Sequence, residues 1–172
     1  KEKIEERKIT LIGGAGFIGH NLALHLKSLG AEVSIIDSLQ VNNLAYFSST
    51  SEEIVNRPLY LNILNERQRL LKDSRIPTYI QDARDYQALS RLINQIKPQV
   101  VIQLAAVSHA NKSNKDPYST FDHSFRTLEN ALDASRDRVK HFIYFSSSMV
   151  YGHFTETAVT EESNCNPLGI YG

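Results

Sequence analysis

Gly13-Gly14-Ala15-Gly16-Phe17-Ile18-Gly19 stands directly after the apolar run Lys8-Ile9-Thr10-Leu11-Ile12. Between a strand-like run and a helical pattern, such a loop is suited to holding phosphate. Gly13 permits a tight turn out of the strand. Gly16 lets the backbone approach a diphosphate without a Cβ in the way, and Gly19 lets helix and strand pack closely. A helix that starts here turns free N–H groups and partial positive charge toward the same anion. The glycines are spaced three and three, not the two and three of the commonest dinucleotide-binding loop. Asp37 closes the next apolar run, Val33-Ser34-Ile35-Ile36, 18 residues beyond Gly19. A carboxylate there accepts both hydroxyls of an adenosine ribose and repels a 2′-phosphate. No Arg follows within the next several residues. The loop and its acidic partner therefore point to NAD rather than NADP.

The elements that must position these residues alternate short β-branched runs with longer amphipathic stretches. Strands are predicted over 8–12, 33–37, 78–81, 100–104 and 141–145. Helices are predicted over 17–29, with Gly30 at the C-terminal cap, over about 61–72, over 86–96 ahead of Pro98, and over 117–135. Residues 38–57, rich in Ser, Asn and Thr, read as a long loop inside an elaborated crossover. Strand–helix alternation means right-handed crossovers and an α/β fold: a doubly wound parallel sheet with helices on both faces. Everything after Gly152 reads as irregular.

Composition narrows the classes further. The 172 residues carry 19 Lys+Arg against 19 Asp+Glu, and 41% are apolar, which fits one folded domain and not a disordered tail. Zero net charge gives no general pull toward nucleic acid or an anionic membrane. No apolar run approaches the roughly 20 residues that span a bilayer. The single cysteine, Cys165, excludes an intramolecular disulfide and any multi-cysteine metal site, so no metal is expected. The charged stretch from Lys1 to Lys8 has no signal-peptide form, and a cytoplasmic location is the expectation.

Taken in order, Gly13 to Gly19, Asp37, Asp82-Ala83-Arg84-Asp85, Leu104-Ala105-Ala106, Ser146 to Gly152 and Pro167 to Gly172 span nearly the whole chain. In this set the sequence resembles the extended short-chain dehydrogenase/reductase superfamily, in its NAD-dependent nucleotide-sugar epimerase/dehydratase branch. The resemblance implies a Rossmann-like NAD-binding domain over 1–172, ending before the C-terminal region that completes the sugar pocket. It implies cofactor contacts from Gly13, Gly16, Phe17, Ile18, Gly19 and Asp37. Asp82 and Ala83 would lie beside the adenine, and Leu104, Ala105 and Ala106 beneath the diphosphate and nicotinamide ribose. The family's catalytic Ser/Thr falls on Ser147, and its catalytic Tyr on Tyr171, 24 residues later. Ser108 and Ser148 take substrate-side positions, while Lys112 and Lys115 read equally well as solvated loop charges.

A tyrosine of ordinary pKa about 10 is a poor base near neutrality without a nearby cation. In the family that cation is a Lys four residues after the Tyr, here position 175, so little turnover is expected of the 172 residues alone. His123 stands where the family has Asn, either as a polar contact in the site or as an ordinary helix histidine. Family dehydratases carry an Asp-Glu pair after the catalytic Thr, and decarboxylases keep the Glu; here the positions are Ser148 and Met149. Met cannot transfer a proton, so the resemblance favours epimerisation of a nucleotide-diphosphate sugar. A dehydratase, decarboxylase or reductase, or a non-catalytic NAD-binding module, is the alternative. A homodimer through helices beside the fourth and fifth strands is also implied.

Asp37→Ala should weaken NAD binding by about 1.5–3 kcal/mol, the scale of a hydrogen bond to a charged group, and reduce discrimination against NADP. Calorimetry with both cofactors on the full-length polypeptide checks this; tighter binding of NADP by the unsubstituted protein would contradict it.

Overall fold

Every residue of the first strand after Lys8 is buried, because the sheet is covered on both faces. The computed structural model describes residues 3–51, 53–107, 113 and 115–172. Its strands are β1 (Lys8–Ile12), β2 (Glu32–Asp37), β3 (Thr78–Ile80), β4 (Val100–Gln103) and β5 (His141–Tyr144). The helices are α1 (Phe17–Ser28), α2 (Leu44–Ser49), α3 (Arg57–Asp73), α4 (Tyr86–Ile96), α5 (Pro117–Thr120) and α6 (Thr127–Ser135). All strand pairs are parallel, in the order β3-β2-β1-β4-β5.

Strand side chains alternate between two apolar layers. Ile9, Leu11, Val33, Ile35, Val100 and Ile102 pack with Ala23 and Leu26 of α1 and Leu71 of α3. Ile12, Ile36 and Val101 face the other way, with Leu89 and Ile93 of α4 and Ala131 and Ala134 of α6. Two hydroxyls sit inside this framework, Thr10 and Ser34, and they satisfy each other at 2.8 Å. The doubly wound α/β arrangement is the one the alternation predicts. Crossovers leave β1 toward β2 on one side and reach β4 on the other. The crevice above the carboxyl ends of β1 and β4 is therefore left open, as is usual at such a switch in strand order.

Two stretches differ from the sequence expectation. The region 38–57 is not one long loop: it holds α2, and α3 begins at Arg57, about one turn early, with Pro58 in its first turn. Helix α2 is short, has no buried residue and shows no helical periodicity to read. It is placed by Asn43, whose carbonyl oxygen accepts from Leu44 N–H at 2.8 Å while its amide donates to the Ala15 carbonyl at 3.1 Å. The helix expected over 117–135 is interrupted by a π-helical turn, Phe121–Arg126. Here the Thr127 hydroxyl reaches the His123, Ser124 and Ala105 carbonyls, and Ser124 Oγ accepts from Val107 N–H at 3.1 Å. Those long-range bonds tie the widened turn to the loop leaving β4. No helix among the described residues is long and apolar enough to cross a membrane.

Asn43 is almost fully buried, so Asn43→Ala leaves the Ala15 carbonyl without its donor and α2 without its cap. The expected loss is about 1–3 kcal/mol of folding stability, measured by denaturant unfolding. A value within a few tenths of zero would show that α2 is not anchored to the glycine loop.

Candidate functional site

A cavity of about 880 Å³ opens above the carboxyl ends of the strands. Its floor is the loop out of β1, with Gly13, Gly16, Phe17, Ile18 and Gly19. Asp37 enters from the end of β2, Asp82 and Ala83 from beyond β3, and Leu104, Ala105 and Ala106 from beyond β4. All the residues assigned to the cofactor from sequence thus share one wall.

The glycines differ in what holds them. Gly13 has φ +77°, and a Cβ there would lie 2.5 Å from the Ala105 nitrogen. A Cβ on Gly19 would lie 2.5 Å from the Gly14 carbonyl oxygen. Both are required by the fold itself. Gly16 is not: its φ is −74°, and a Cβ would meet nothing nearer than the Gly13 oxygen at 3.6 Å. Glycine at 16 therefore keeps space clear in the cavity rather than inside the protein. The Gly16 carbonyl accepts from His20, through its backbone N–H at 3.1 Å and its Nδ1 at 2.9 Å. Helix α1 has neither a side-chain cap nor an acidic residue in its first turn. An anion can use those N–H groups.

Asp37 braces the loop as well as facing the cavity. Its Oδ2 accepts from Ala15 N–H at 2.9 Å and its Oδ1 from Leu39 N–H at 2.7 Å. Burial pushes the carboxyl above its ordinary value, and the Leu39 and Ala15 N–H groups only partly oppose this. Ionising Asp37 therefore costs the folded chain stability as pH rises from the ordinary carboxylate value through the raised one. Hydroxyl donors from a ribose would favour the ionised form and offset that cost. Each oxygen still has a lone pair for them.

Asp82 stands in a different setting. Burial would raise its carboxyl, but the Arg84 side chain and backbone N–H outweigh this and hold it below the ordinary value. Arg84 Nη2 meets Asp82 Oδ2 at 2.7 Å, and Arg84 Nη1 meets Asp122 Oδ2 at 2.7 Å. Asn130 donates to the Ala83 and Arg84 carbonyls, both at 2.9 Å, and so fixes this backbone from α6.

The other candidates are placed elsewhere. Ser147, Ser148 and Tyr171 are not in the cavity wall. Ser147 is half-buried, and its Oγ accepts from Met149 N–H at 3.2 Å at the start of a 3-10 turn, Ser148–Tyr151. Ser148 is exposed and Tyr171 half-buried. The last residues fold back over that turn, so that a Cβ on Gly172 would lie 2.8 Å from the Met149 carbonyl oxygen. The backbone beside Tyr171 thus lies against the segment that carries Ser147. Ser108 and Lys112 lie outside the described residues, and Lys115 is exposed. Among the described residues no group of three His, Cys, Asp or Glu side chains could hold a metal.

Sequence reasoning missed the opposite wall, built from α2 and α3. It includes Asn43, Tyr46, Arg67 and the stacked pair Phe47 and Tyr60, whose ring centroids are 5.1 Å apart. The available signal was a cluster of aromatics in a polar stretch. His123, left open from sequence, lines the cavity from the π turn.

The family model for "NAD dependent epimerase/dehydratase family" matches residues 9–172. The UDP-glucose 4-epimerase of Lactobacillus helveticus is 26% identical over 96% of this chain and 43% of its own. Protein CapI of Staphylococcus aureus is 30% identical over 95% of this chain and 45% of its own. The chain therefore spans less than half the length of these curated relatives. In fold it is similar to the UDP-glucose-4-epimerase of Stenotrophomonas maltophila, solved with bound NAD and formylated UDP-arabinopyranose. That match has a TM-score of 0.75 at 22% identity, over 96% of this chain and 44% of that one.

Gly16→Val should abolish dinucleotide binding with the circular dichroism spectrum unchanged, since the added branch fills cavity space and not protein. Unchanged NAD affinity in a natively folded variant would remove the loop as the phosphate site.

Proposed function

The chain belongs to the NAD dependent epimerase/dehydratase family, and on that premise we propose that it is the NAD-binding part of an enzyme that epimerises a nucleotide-diphosphate sugar. The observation that carries the cofactor half is the shared cavity wall. Gly16, a glycine that no packing demands, faces the same space as Asp37, a carboxylate with free lone pairs. In this reading the start of α1 binds the diphosphate and Asp37 the adenosine ribose. Asp82, kept ionised by Arg84, accepts from the adenine amine, and Ala105 and Ala106 leave room for a close approach. NAD, when bound, supplies a hydride acceptor that gives the hydride back, so the sugar passes through a transient keto form with no net redox.

The chain's own contribution to the chemistry is proton handling and orientation. Tyr171 takes the hydroxyl proton of the reacting sugar carbon, and Ser147 hydrogen-bonds the same oxygen and aims it. The fold-back that sets Gly172 against Met149 supports pairing these two segments. Ser148 is a substrate-side contact. Met149 offers no acid for water elimination or for the step a decarboxylase Glu serves, which favours epimerisation. The names of the relatives, UDP-glucose 4-epimerases among them, support a nucleotide-diphosphate sugar as substrate. A homodimer through the helices beside β4 and β5 belongs to the same reading, and Leu132 of α6 stays exposed there.

The full-length polypeptide with NAD should interconvert a pair of nucleotide-sugar epimers without accumulating NADH. Net NADH, or a stable 4-keto product, would exclude the epimerase reading. Tyr171→Phe and Ser147→Ala should each lower turnover by about 10²–10⁴-fold with NAD still bound, and the double variant should be scarcely worse. Losses below tenfold would count against the assignment.

A further inference from the structure

The cavity wall carries several acidic side chains, Asp37, Glu53 and Asp82, but only one permanent cation among the described residues, Arg67. A dinucleotide adds two negative phosphates to that space. The start of α1 offers them backbone N–H groups, and a side-chain cation would add a full positive charge.

Arg67 sits where an amphipathic helix ordinarily places an apolar residue. Tyr60, Leu64, Arg67 and Leu71 follow one another at helical spacing along α3 and form a single stripe. Leu64 and Leu71 of that stripe are buried, and Tyr60, Leu64 and Arg67 all line the cavity. The neighbouring Arg69 turns outward and pairs with Glu66 and Asp73. Arg67 has no such partner: among the described residues its sole contact of this kind is the Phe17 ring, with the guanidinium carbon 5.7 Å from the centroid. Half-burial withdraws water from the guanidinium and lowers its proton affinity, with no carboxylate to offset the loss. Phe17 is the first residue of α1 and remains 71% exposed. Arg67 is thus held over the uncapped start of α1 by an aromatic surface.

We propose that Arg67 is a cofactor-binding residue whose guanidinium pairs with the diphosphate of the bound dinucleotide from the α3 side, opposite the glycine loop. This rests on the NAD-binding reading above and extends it. α1 presents backbone N–H groups to one side of the diphosphate, and α3 presents a charged fork to the other. Phe17 supports the fork at the cavity wall. A 2′-phosphate is the less suitable target, because its place lies beside the Asp37 carboxylate.

Calorimetry on the full-length polypeptide, freed of cofactor, tests this with NAD, ADP-ribose, NADP and adenosine. Arg67→Met keeps the apolar stem and removes the charge; Arg67→Lys keeps the charge without the fork. In R67M the Kd for NAD and for ADP-ribose should rise equally, by about 10- to 100-fold, the scale of one charge-assisted hydrogen bond. Adenosine affinity should not change, R67K should recover part of the loss, and the salt dependence of NAD binding should flatten in R67M. The melting temperature without ligand should stay that of the unsubstituted protein. Unchanged NAD and ADP-ribose affinities in R67M would overturn the proposal. So would an equal loss for adenosine, which would mean that Arg67 shapes the cavity rather than pairing with phosphate. A loss confined to NADP would reassign the residue to a 2′-phosphate and overturn it too. Should R67M fail to fold, R67K decides: affinity for ADP-ribose and its salt dependence both identical to the unsubstituted protein would show that the bidentate fork makes no contact. Absence of NAD binding by the unsubstituted protein would overturn the underlying reading and this one with it. NAD binding that R67M leaves untouched overturns this one alone.

Discussion

No side chain fits between Gly13 and the backbone of Ala105, and the rest of the site depends on that contact. It presses the turn out of β1 onto the strand end of β4, the two neighbours between which the strand order reverses. The floor of the cavity is therefore backbone, and backbone can come close to a ligand from below. The turn is then clamped from both sides of one residue. Ala15 gives its N–H to Asp37 from β2 and receives a donor at its carbonyl from Asn43 before α2. Ala15 itself is fully buried. A loop of small residues, flexible in isolation, is held by groups 22 and 28 positions away.

In that bracing Asp37 uses one lone pair on each oxygen and leaves the others open to the cavity. Its backbone hydrogen bonds fix the loop, while burial leaves the carboxyl short of solvation and receptive to further donors. Asp82 is handled in the opposite way, because Arg84 supplies the charge that burial removes. Arg84 also reaches Asp122, so the ion pairs run from beyond β3 to the π turn ahead of α6. The salt bridges are partly solvent-facing and contribute little to stability by themselves. Their effect is geometric: they hold Ala83 and His123, two members of the cavity wall, at a set separation. His123 lines the cavity from within the π turn Phe121–Arg126, and such turns recur at functional sites.

What the sequence by itself determined is the part governed by near neighbours. The run 8–12, the glycine loop, the start of α1 and the Asp at the end of β2 are legible because each follows from local chemistry: apolar alternation, φ freedom, helix periodicity, a carboxylate at a strand end. The parallel sheet follows from the same rhythm, since strands separated by helices pair in parallel. The residues assigned to the cofactor from sequence come together in one cavity because the carboxyl ends of parallel strands lie on one side of the sheet, a consequence of topology already implied by that rhythm. The Ser147 and Tyr171 assignments rest on resemblance, and their roles remain part of the proposed function.

The tertiary structure alone decided the opposite wall. α2 has six residues and no buried face, so it exists through Asn43 and the Ala15 carbonyl, a bond with no local trace. Arg67 reads in sequence as one more charge on a charged helix. Only the packing of α3 across α1 shows that it lines the cavity beside the Phe17 ring while Arg69, two residues on, does not. The π turn is likewise set by Thr127 and Ser124 bonding to the loop beyond β4, and helical periodicity over 117–135 cannot report it. Local propensity writes the elements and the strand-end chemistry; long-range hydrogen bonds and packing choose which of the remaining polar groups face the cavity.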